Sequence, residues 1–213
     1  MIGIIDYGMG NLRSVQKAFE HLQTPAEITT SPRSLQDYDG VILPGVGAFR
    51  DAISELRRLD FVTAIREIVE ADKPMLGICL GQQLLFDRSE EGGDFEGLGL
   101  IAGSVVRFQP EPGLKIPHMG WNALKITRPH PLVEGVQSGE YVYFVHSYHV
   151  QPTDPDVIIC STQHGHQTFA SVVGKGNLVA TQFHPEKSQQ VGLRLLKNFG
   201  DMVARSALAG VAP

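Results

Sequence analysis

Gly77-Ile78-Cys79-Leu80-Gly81 and His184-Pro185-Glu186 lie far apart in the chain, yet together they hold a thiol, an imidazole and a carboxylate. Those three groups are the components of nucleophilic catalysis by cysteine. The first segment follows apolar Pro74-Met75-Leu76 and runs into Gln82-Gln83-Leu84-Leu85-Phe86, which has a helix-like pattern. A nucleophile on a sharp strand-to-helix turn occupies strained backbone, and side chains two residues to either side would collide there. Glycine at 77 and 81 meets that need. The turn also sets the sulfur near a helix N-terminus, where open N–H groups and the helix dipole favour thiolate over thiol. In the second segment, Leu178–Phe183 reads as a buried strand with His184 at its end, where α/β sheets usually carry their chemistry. Pro185 is expected to keep the chain extended, so that the side chains at 184 and 186 point the same way. Glu186 then holds one imidazole nitrogen while the other takes the thiol proton. Each piece has a plainer reading by itself: a cysteine after an apolar strand is commonly a small buried hydrophobe, and a His-Pro-Glu is commonly a surface turn. The matching strand-end contexts favour Cys79, His184 and Glu186 as one catalytic unit.

Placing these residues requires a sheet, and the first half of the chain supplies its rhythm. Strand-like Met1–Tyr7 precedes a helical pattern over about 11–23, with Leu12, Val15, Ala18, Phe19 and Leu22 on one face. Short strands are expected at 27–30 and 41–43, helices at 49–56 and 61–69, then the strand that leads into Cys79. This alternation predicts an α/β fold with a mostly parallel central sheet covered by helices on both faces. After about Gly97 the texture changes to short strands between Pro/Gly turns, at 101–108, 123–127, 141–149, 157–162, 167–173 and 178–183. They predict an antiparallel or mixed extension of the same sheet. A closing helix is expected over 188–204. One domain over 1–205 with a frayed tail over 206–213 accounts for the whole chain.

The 213 residues are enough for one α/β domain with a sizeable core. The net charge of −5, without a Lys/Arg cluster, argues against nucleic acid as a ligand. No apolar run reaches membrane-spanning length, and the N-terminus enters a strand directly instead of showing a basic leader. Two cysteines, Cys79 and Cys160, form no disulfide framework, so a reducing cytoplasm is the expected location. Cys160 ends the apolar run 157–159 without flanking glycines and reads as core. The eight histidines, His146, His149, His164 and His166 among them, lack acidic or cysteine ligands at useful spacing, so no metal site is expected. Asp6-Tyr7-Gly8-Met9-Gly10-Asn11 resembles the start of a dinucleotide fingerprint, but its third glycine is missing. Leu43-Pro44-Gly45-Val46-Gly47 suits an ordinary strand-to-helix turn, or backbone N–H groups presented to a developing oxyanion. The only tryptophan, Trp121, sits in Pro117-His118-Met119-Gly120-Trp121-Asn122, read as a polar loop; it either anchors an interface or plugs the loop.

Taken together, Gly-Ile-Cys-Leu-Gly-x-Gln at 77–83 and His-Pro-Glu at 184–186 resemble the class I (triad) glutamine amidotransferases. Segments at 6–11, 44–47, 117–122, 143–148 and 182–188 are similar, more closely, to the glutaminase subunits of imidazole glycerol phosphate synthase. The resemblance runs from residue 1 to about 200 and implies a flavodoxin-like amidotransferase fold. It implies that Cys79 attacks the glutamine side-chain amide, that His184 protonates the departing ammonia and activates water, and that Glu186 orients the imidazole. It also implies that glutamine is held by Gln83 and by backbone at Val46, Gly47, Ser147 and Tyr148, with Gly45–Gly47 supplying the oxyanion hole. No cofactor or metal is implied. The implied partner is a (β/α)8 cyclase subunit that consumes the ammonia in histidine biosynthesis, met by Asn11, Trp121, Tyr143 and Lys187. For Lys187 a solvated surface charge at the strand end is the commoner reading. The glycine-rich oxyanion strand is expected to flip between orientations, being set correctly when the liganded cyclase docks. Alternatives are a glutaminase subunit of another synthase, a γ-glutamyl hydrolase or cysteine peptidase on the same fold, and a non-enzymatic scaffold.

Overall fold

The computed structural model describes residues 1–209. In chain order its elements are β1 (Ile2–Ile5), α1 (Leu12–His21), β2 (Ala26–Thr29), β3 (Gly40–Gly45), α2 (Phe49–Arg58), α3 (Phe61–Glu70), β4 (Met75–Cys79) and α4 (Leu80–Leu84). There follow β5 (Phe86–Ser89), β6 (Phe95–Glu96), β7 (Ile101–Arg107), β8 (His118–Ala123), β9 (Lys125–Ile126), β10 (Tyr141–His146) and β11 (Tyr148–Pro152). The chain ends with β12 (Ile158–His164), β13 (Gln167–Lys175), β14 (Leu178–Thr181) and α5 (Gln189–Ala209).

The main sheet has eight strands in the order β2-β1-β3-β4-β14-β13-β12-β9. From β2 to β14 all neighbours are parallel; from β14 outward to β9 they are antiparallel. Its central strands are apolar on both faces because helices cover both. Val41 and Leu43 of β3 pack into one core with Phe49, Leu56, Phe61 and Ile65 of α2 and α3. Ile42, one residue out of phase, packs into the other with Phe19 of α1 and Leu196 and Phe199 of α5. This is the expected α/β architecture.

The second half departs from the expected plan in physical detail. The run 141–149, read as one strand, is two: β10 pairs with β8, β11 pairs with β7, and the chain changes sheets at Ser147. β11, β7, β5 and β6 form a separate four-stranded sheet, so neither 101–107 nor 141–152 extends the main one. The segment 117–122, read as a loop, holds all of β8 but its last residue, Ala123. Its alternation was hidden because the inward positions, His118 and Asn122, are polar while the outward ones, Met119 and Trp121, are large and apolar. The helix after Cys79 ends at Leu84, not Phe86, because Leu98 and Leu100 donate to the carbonyls of Leu84 and Leu85, both at 2.8 Å, and pull the chain into β5. The closing helix runs past 204 to Ala209; of the expected tail over 206–213, residues 206–209 are helical and 210–213 lie outside the described residues. Among the described residues no helix is long and apolar enough to cross a membrane.

Phe199 is fully buried between α5 and the sheet, whereas Leu208 near the helix end is 75% exposed. Phe199→Ala is expected to lower unfolding free energy by about 3–5 kcal/mol in urea titration, and Leu208→Ala by less than about 0.5 kcal/mol.

Candidate active site

Three parallel strands, β3, β4 and β14, bring their carboxyl ends together, the position where open α/β sheets place ligands. β4 ends at Cys79, whose φ of 56° and ψ of −110° lie in a region that non-glycine residues rarely occupy. The flanking glycines make this conformation possible. A Cβ on Gly81 would sit 1.9 Å from the Leu43 carbonyl oxygen of β3, and one on Gly77 would sit 2.9 Å from the Gly81 carbonyl. The strand-to-helix turn therefore presses against its neighbouring strand at a distance no side chain tolerates. Cys79 lies at its apex, 7% exposed.

Beyond β14 the chain continues through Gln182 and Phe183 to His184, whose Nδ1 lies 2.8 Å from Glu186 Oε1. Both side chains are buried, at 3% and 1% exposure. The pair forms differently from the extended reading: Pro185–Lys187 is a turn of 3₁₀-helix that folds Glu186 back beneath the imidazole. The backbone of β10 pins this turn. The His184 N–H donates to the Tyr143 carbonyl at 3.1 Å, the Tyr143 N–H donates to Ser188 Oγ at 2.9 Å, and that hydroxyl donates to the His184 carbonyl at 2.7 Å. Burial opposes a charged His184, but hydrogen bonds and charge from Cys79 and Glu186 outweigh it and raise its pKa to about 10. The surroundings of His184 therefore favour its charged, doubly protonated ring. The other cysteine has no such surroundings: Cys160 is fully buried in the core, and burial pushes its thiol up to about 12.

A cavity of about 350 Å³ opens over Cys79 and His184, a size suited to a small polar ligand. Of the residues expected to hold glutamine, Val46, Gly47, Gln83, Ser147 and Tyr148 all line it. Gln83 is fixed by two hydrogen bonds from its Nε2, to the Tyr148 carbonyl and to Gln182 Oε1, both at 3.0 Å. Gln182 in turn directs its Nε2 towards Cys79 Sγ at 3.9 Å. The Val46–Gly47 segment is exposed at the cavity rim, with Gly47 at φ 91°.

Two further residues at the site carried little sequence signal: Glu91, which lines the cavity, and Gln182, buried beside Cys79. Glu91 holds its Oε2 3.0 Å from the Phe49 N–H, and burial, with the nearby charge of Asp51, raises its pKa despite that bond. Its only sequence signal was an acidic pair before Gly92-Gly93. Gln182 was legible as the one amide within an apolar strand-like run. Tyr7 is a further neighbour: its hydroxyl, buried without a hydrogen-bond partner, is raised by burial and by the Cys79 charge.

The residues expected at a partner interface lie elsewhere. Trp121 and Tyr143 face each other across the β8–β10 ribbon in an edge-to-face contact of 5.9 Å. Trp121 is 46% exposed on a strand, so the loop-plug reading falls away. Lys187 is exposed in the turn behind His184, and Asn11 opens α1 without capping it through its side chain. Among the described residues no group of three or more His, Cys, Asp or Glu side chains could hold a metal ion.

The sequence matches the family model of glutamine amidotransferase class-I over residues 3–202. The chain belongs to the class I glutamine amidotransferases. It is 56% identical over 207 residues to the imidazole glycerol phosphate synthase subunit HisH of Syntrophotalea carbinolica, covering 95% of this chain and 100% of that one. It is 51% identical over 209 residues to the HisH subunit of Moorella thermoacetica, covering 98% of each. Among solved structures its fold is similar to a glutamine amidotransferase with a TM-score of 0.74 at 19% identity, over 95% of this chain and 98% of that one. It is also similar to the glutaminase domain of Trypanosoma brucei CTPS, at 0.70 and 18%, over 96% and 93%. These amidotransferases share the main-sheet architecture described above; sequence likeness to the HisH subunits extends across nearly the whole chain.

The turn at Cys79 generates a sign-reversed expectation. Alanine for glycine in a helix normally stabilises by about 0.5–1 kcal/mol. At Gly81 of this amidotransferase the Cβ meets backbone, so Gly81→Ala is expected to destabilise by several times that amount, about 2–4 kcal/mol, or to prevent soluble expression. A denaturant midpoint at or above that of the unaltered chain would overturn this account of the turn.

Proposed function

We propose that this chain is the glutaminase subunit of an imidazole glycerol phosphate synthase. It hydrolyses glutamine to glutamate and ammonia at Cys79 and passes the ammonia to a (β/α)8 cyclase subunit. The observation that carries this reading is the strained Cys79 turn beside a His184 imidazolium backed by buried Glu186, in a cavity of amino-acid size. The high identity to HisH subunits selects the pathway.

In this reading Cys79 Sγ, as thiolate, attacks the glutamine side-chain carbonyl carbon. The oxyanion that forms is received by backbone N–H groups of the Val46–Gly47 segment and of Leu80, the residue after the nucleophile. His184 gives its Nε2 proton to the amide nitrogen, the C–N bond breaks, and ammonia leaves behind a glutamyl thioester. His184, now neutral, takes a proton from water; the hydroxide adds to the thioester carbon, and collapse releases glutamate and the thiolate. Glu186 holds Nδ1 throughout, which keeps Nε2 aimed at the sulfur side. Glu91 offers a carboxylate to the α-ammonium of glutamine, while Gln83 and the Ser147–Tyr148 backbone hold its other end.

Support for the partner comes from the outer face of the β8–β10 ribbon. Met119, Trp121 and Tyr141 are 63%, 46% and 59% exposed, and Val46 at the cavity rim is 40% exposed. An apolar group of this kind on one face marks a docking surface, and its inner side lines the cavity. The cyclase therefore docks over the glutaminase site, with Trp121 and Tyr143 at its centre and Asn11 and Lys187 towards its edge. Docking beside Val46 also provides a means of setting the Gly45–Gly47 backbone, where Gly47 occupies a conformation only glycine adopts readily.

Glutamate release by the purified chain is expected to be slow alone and to rise by at least about tenfold with the cyclase subunit and its nucleotide ligand. It is expected to vanish in Cys79→Ala. Equal rates with and without the liganded cyclase would overturn the coupling, and a different co-purifying synthase would reassign the pathway. In Glu186→Gln one of the two sources that raise His184 is gone, so the imidazolium loses its proton at lower pH. The alkaline limb of kcat/KM is expected to move to lower pH in that variant, as measured by initial rates between pH 6 and 10.

A further inference from the structure

Behind the exposed ribbon lies a pair of histidines that the proposed chemistry does not use. His118 of β8 and His146 of β10 are direct cross-strand partners, 5% and 6% exposed, and His146 lines the cavity. His118 Nδ1 lies 3.0 Å from His146 Nε2. The outer nitrogen of His118, Nε2, lies 3.1 Å from the side-chain nitrogen of Asn122. The outer nitrogen of His146, Nδ1, lies 2.8 Å from the Tyr148 carbonyl.

The hydrogens on this chain of atoms are determined from both ends. Asn122 is committed in orientation: its Oδ1 accepts the Ala123 N–H at 2.8 Å, and its Nδ2 donates to the Gln163 carbonyl at 2.8 Å. The remaining amide hydrogen points at His118 Nε2, which must therefore be bare, leaving the proton on Nδ1. At the other end the Tyr148 carbonyl only accepts, so His146 Nδ1 carries a proton and its Nε2 is bare. The two deductions meet consistently: His118 Nδ1–H donates to His146 Nε2. A second proton on either ring would set two donors against each other. Burial favours the same neutral state, lowering His118 to about 4 and His146 well below the ordinary histidine value.

The chain ends on a carbonyl that matters to the site. The oxygen of Tyr148 also accepts from Gln83 Nε2 at 3.0 Å, the same nitrogen that donates to Gln182 beside Cys79. We propose that His118 and His146 are positioning residues for the glutaminase site: locked as Nδ1–H imidazoles, they fix the Tyr148 carbonyl and, through it, the Gln83 amide that faces bound glutamine. Asn122 sets the first tautomer from a strand whose outer neighbours, Met119 and Trp121, form the exposed face. The relay thus runs along the ribbon's inner face, from Asn122 to the cavity. The effect on glutamine rests on the function proposed above; the tautomers do not.

Nitrogen-15 NMR of the histidine side chains in the full-length chain at pH 7 reads the tautomers without reference to activity. Free imidazole favours the Nε2–H form, so the expected result, Nδ1–H with bare Nε2 at both His118 and His146, is distinctive. An Nε2–H tautomer, or a charged ring, at either position would overturn the proposal. Kinetics with the cyclase subunit and its nucleotide ligand then test the positioning role. His146→Leu removes the donor to Tyr148 and is expected to raise KM for glutamine on the order of tenfold, with a smaller change in kcat. His146→Asn, whose side-chain nitrogen occupies the place of Nδ1, is expected to recover most of that loss. Unchanged KM in the leucine variant, or no recovery with asparagine when both variants melt as cooperatively as the parent, would overturn the role. If the unaltered chain releases no glutamate with its cyclase, the functional reading fails, and the tautomers still stand or fall by the spectrum.

Discussion

A single close approach underlies the arrangement of this site: the turn after β4 lies against the Leu43 carbonyl of β3 with no room for a Cβ at Gly81. Parallel strands hydrogen-bonded from Val41–Met75 to Gly45–Cys79 hold the two backbones at that distance. The turn must then reverse within one residue, and Cys79 takes the strained conformation that results. Such strain persists only where the surroundings over-determine it, at roughly 1–3 kcal/mol. Here two apolar cores clamp the strands from opposite faces, so the energy that buries Leu43 and Ile78 also keeps the sulfur presented. His184 is placed by the same sheet one strand further on. Its final orientation, however, depends on a different element, because the Tyr143 backbone and the Ser188 hydroxyl bind the turn that carries it.

That dependence gives the β8–β10 ribbon its importance. A two-stranded ribbon has little stability of its own, and this one is stitched into the molecule by what its inner face touches. Phe144 packs against Phe169 and Phe183 at ring separations of 5.5 and 5.6 Å, and His118 stacks on Phe144 at 4.8 Å. The outer face, one residue out of phase on each strand, is left with Met119, Trp121, Tyr141 and Tyr143. Strand alternation thus places an exposed apolar face and the buried side that reaches the cavity through His146 on opposite sides of the same two strands.

The sequence was most transparent where one physical demand selects a residue type. Glycines at 77 and 81, continuous apolar strands, and amphipathic helices each have one dominant cause, and the main sheet and the Cys79 turn follow from them. It was opaque where the demand is tertiary. β8 was hidden because its inward positions are His118 and Asn122, polar side chains satisfied by partners far away in sequence, such as His146 and the Gln163 carbonyl. The break at Ser147 was hidden because both flanking strands are similarly apolar, and only their different partners reveal it. Glu91 reaches the cavity by way of an unremarkable turn. The His184–Glu186 pair was found for a reason that holds only in part: the two side chains do meet, but across a 3₁₀ turn in place of an extended segment.

The histidines show why partner chemistry, not residue type or depth, sets function within this small region. His184, His118 and His146 are all almost fully excluded from solvent, and burial alone would leave all three neutral. His184 departs because hydrogen bonds and charge from Cys79 and Glu186 favour the ring with two protons; the others face an amide hydrogen, a carbonyl and each other, which admit only one. In the proposed chemistry this separation gives the proton a single source. A neutral His146 lining the same cavity, with its one hydrogen committed to Tyr148, has nothing to donate to a leaving nitrogen and no bare nitrogen turned towards substrate. In that chemistry proton transfer is confined to the Cys79–His184 axis, while the nearby imidazoles contribute shape and fixed dipoles.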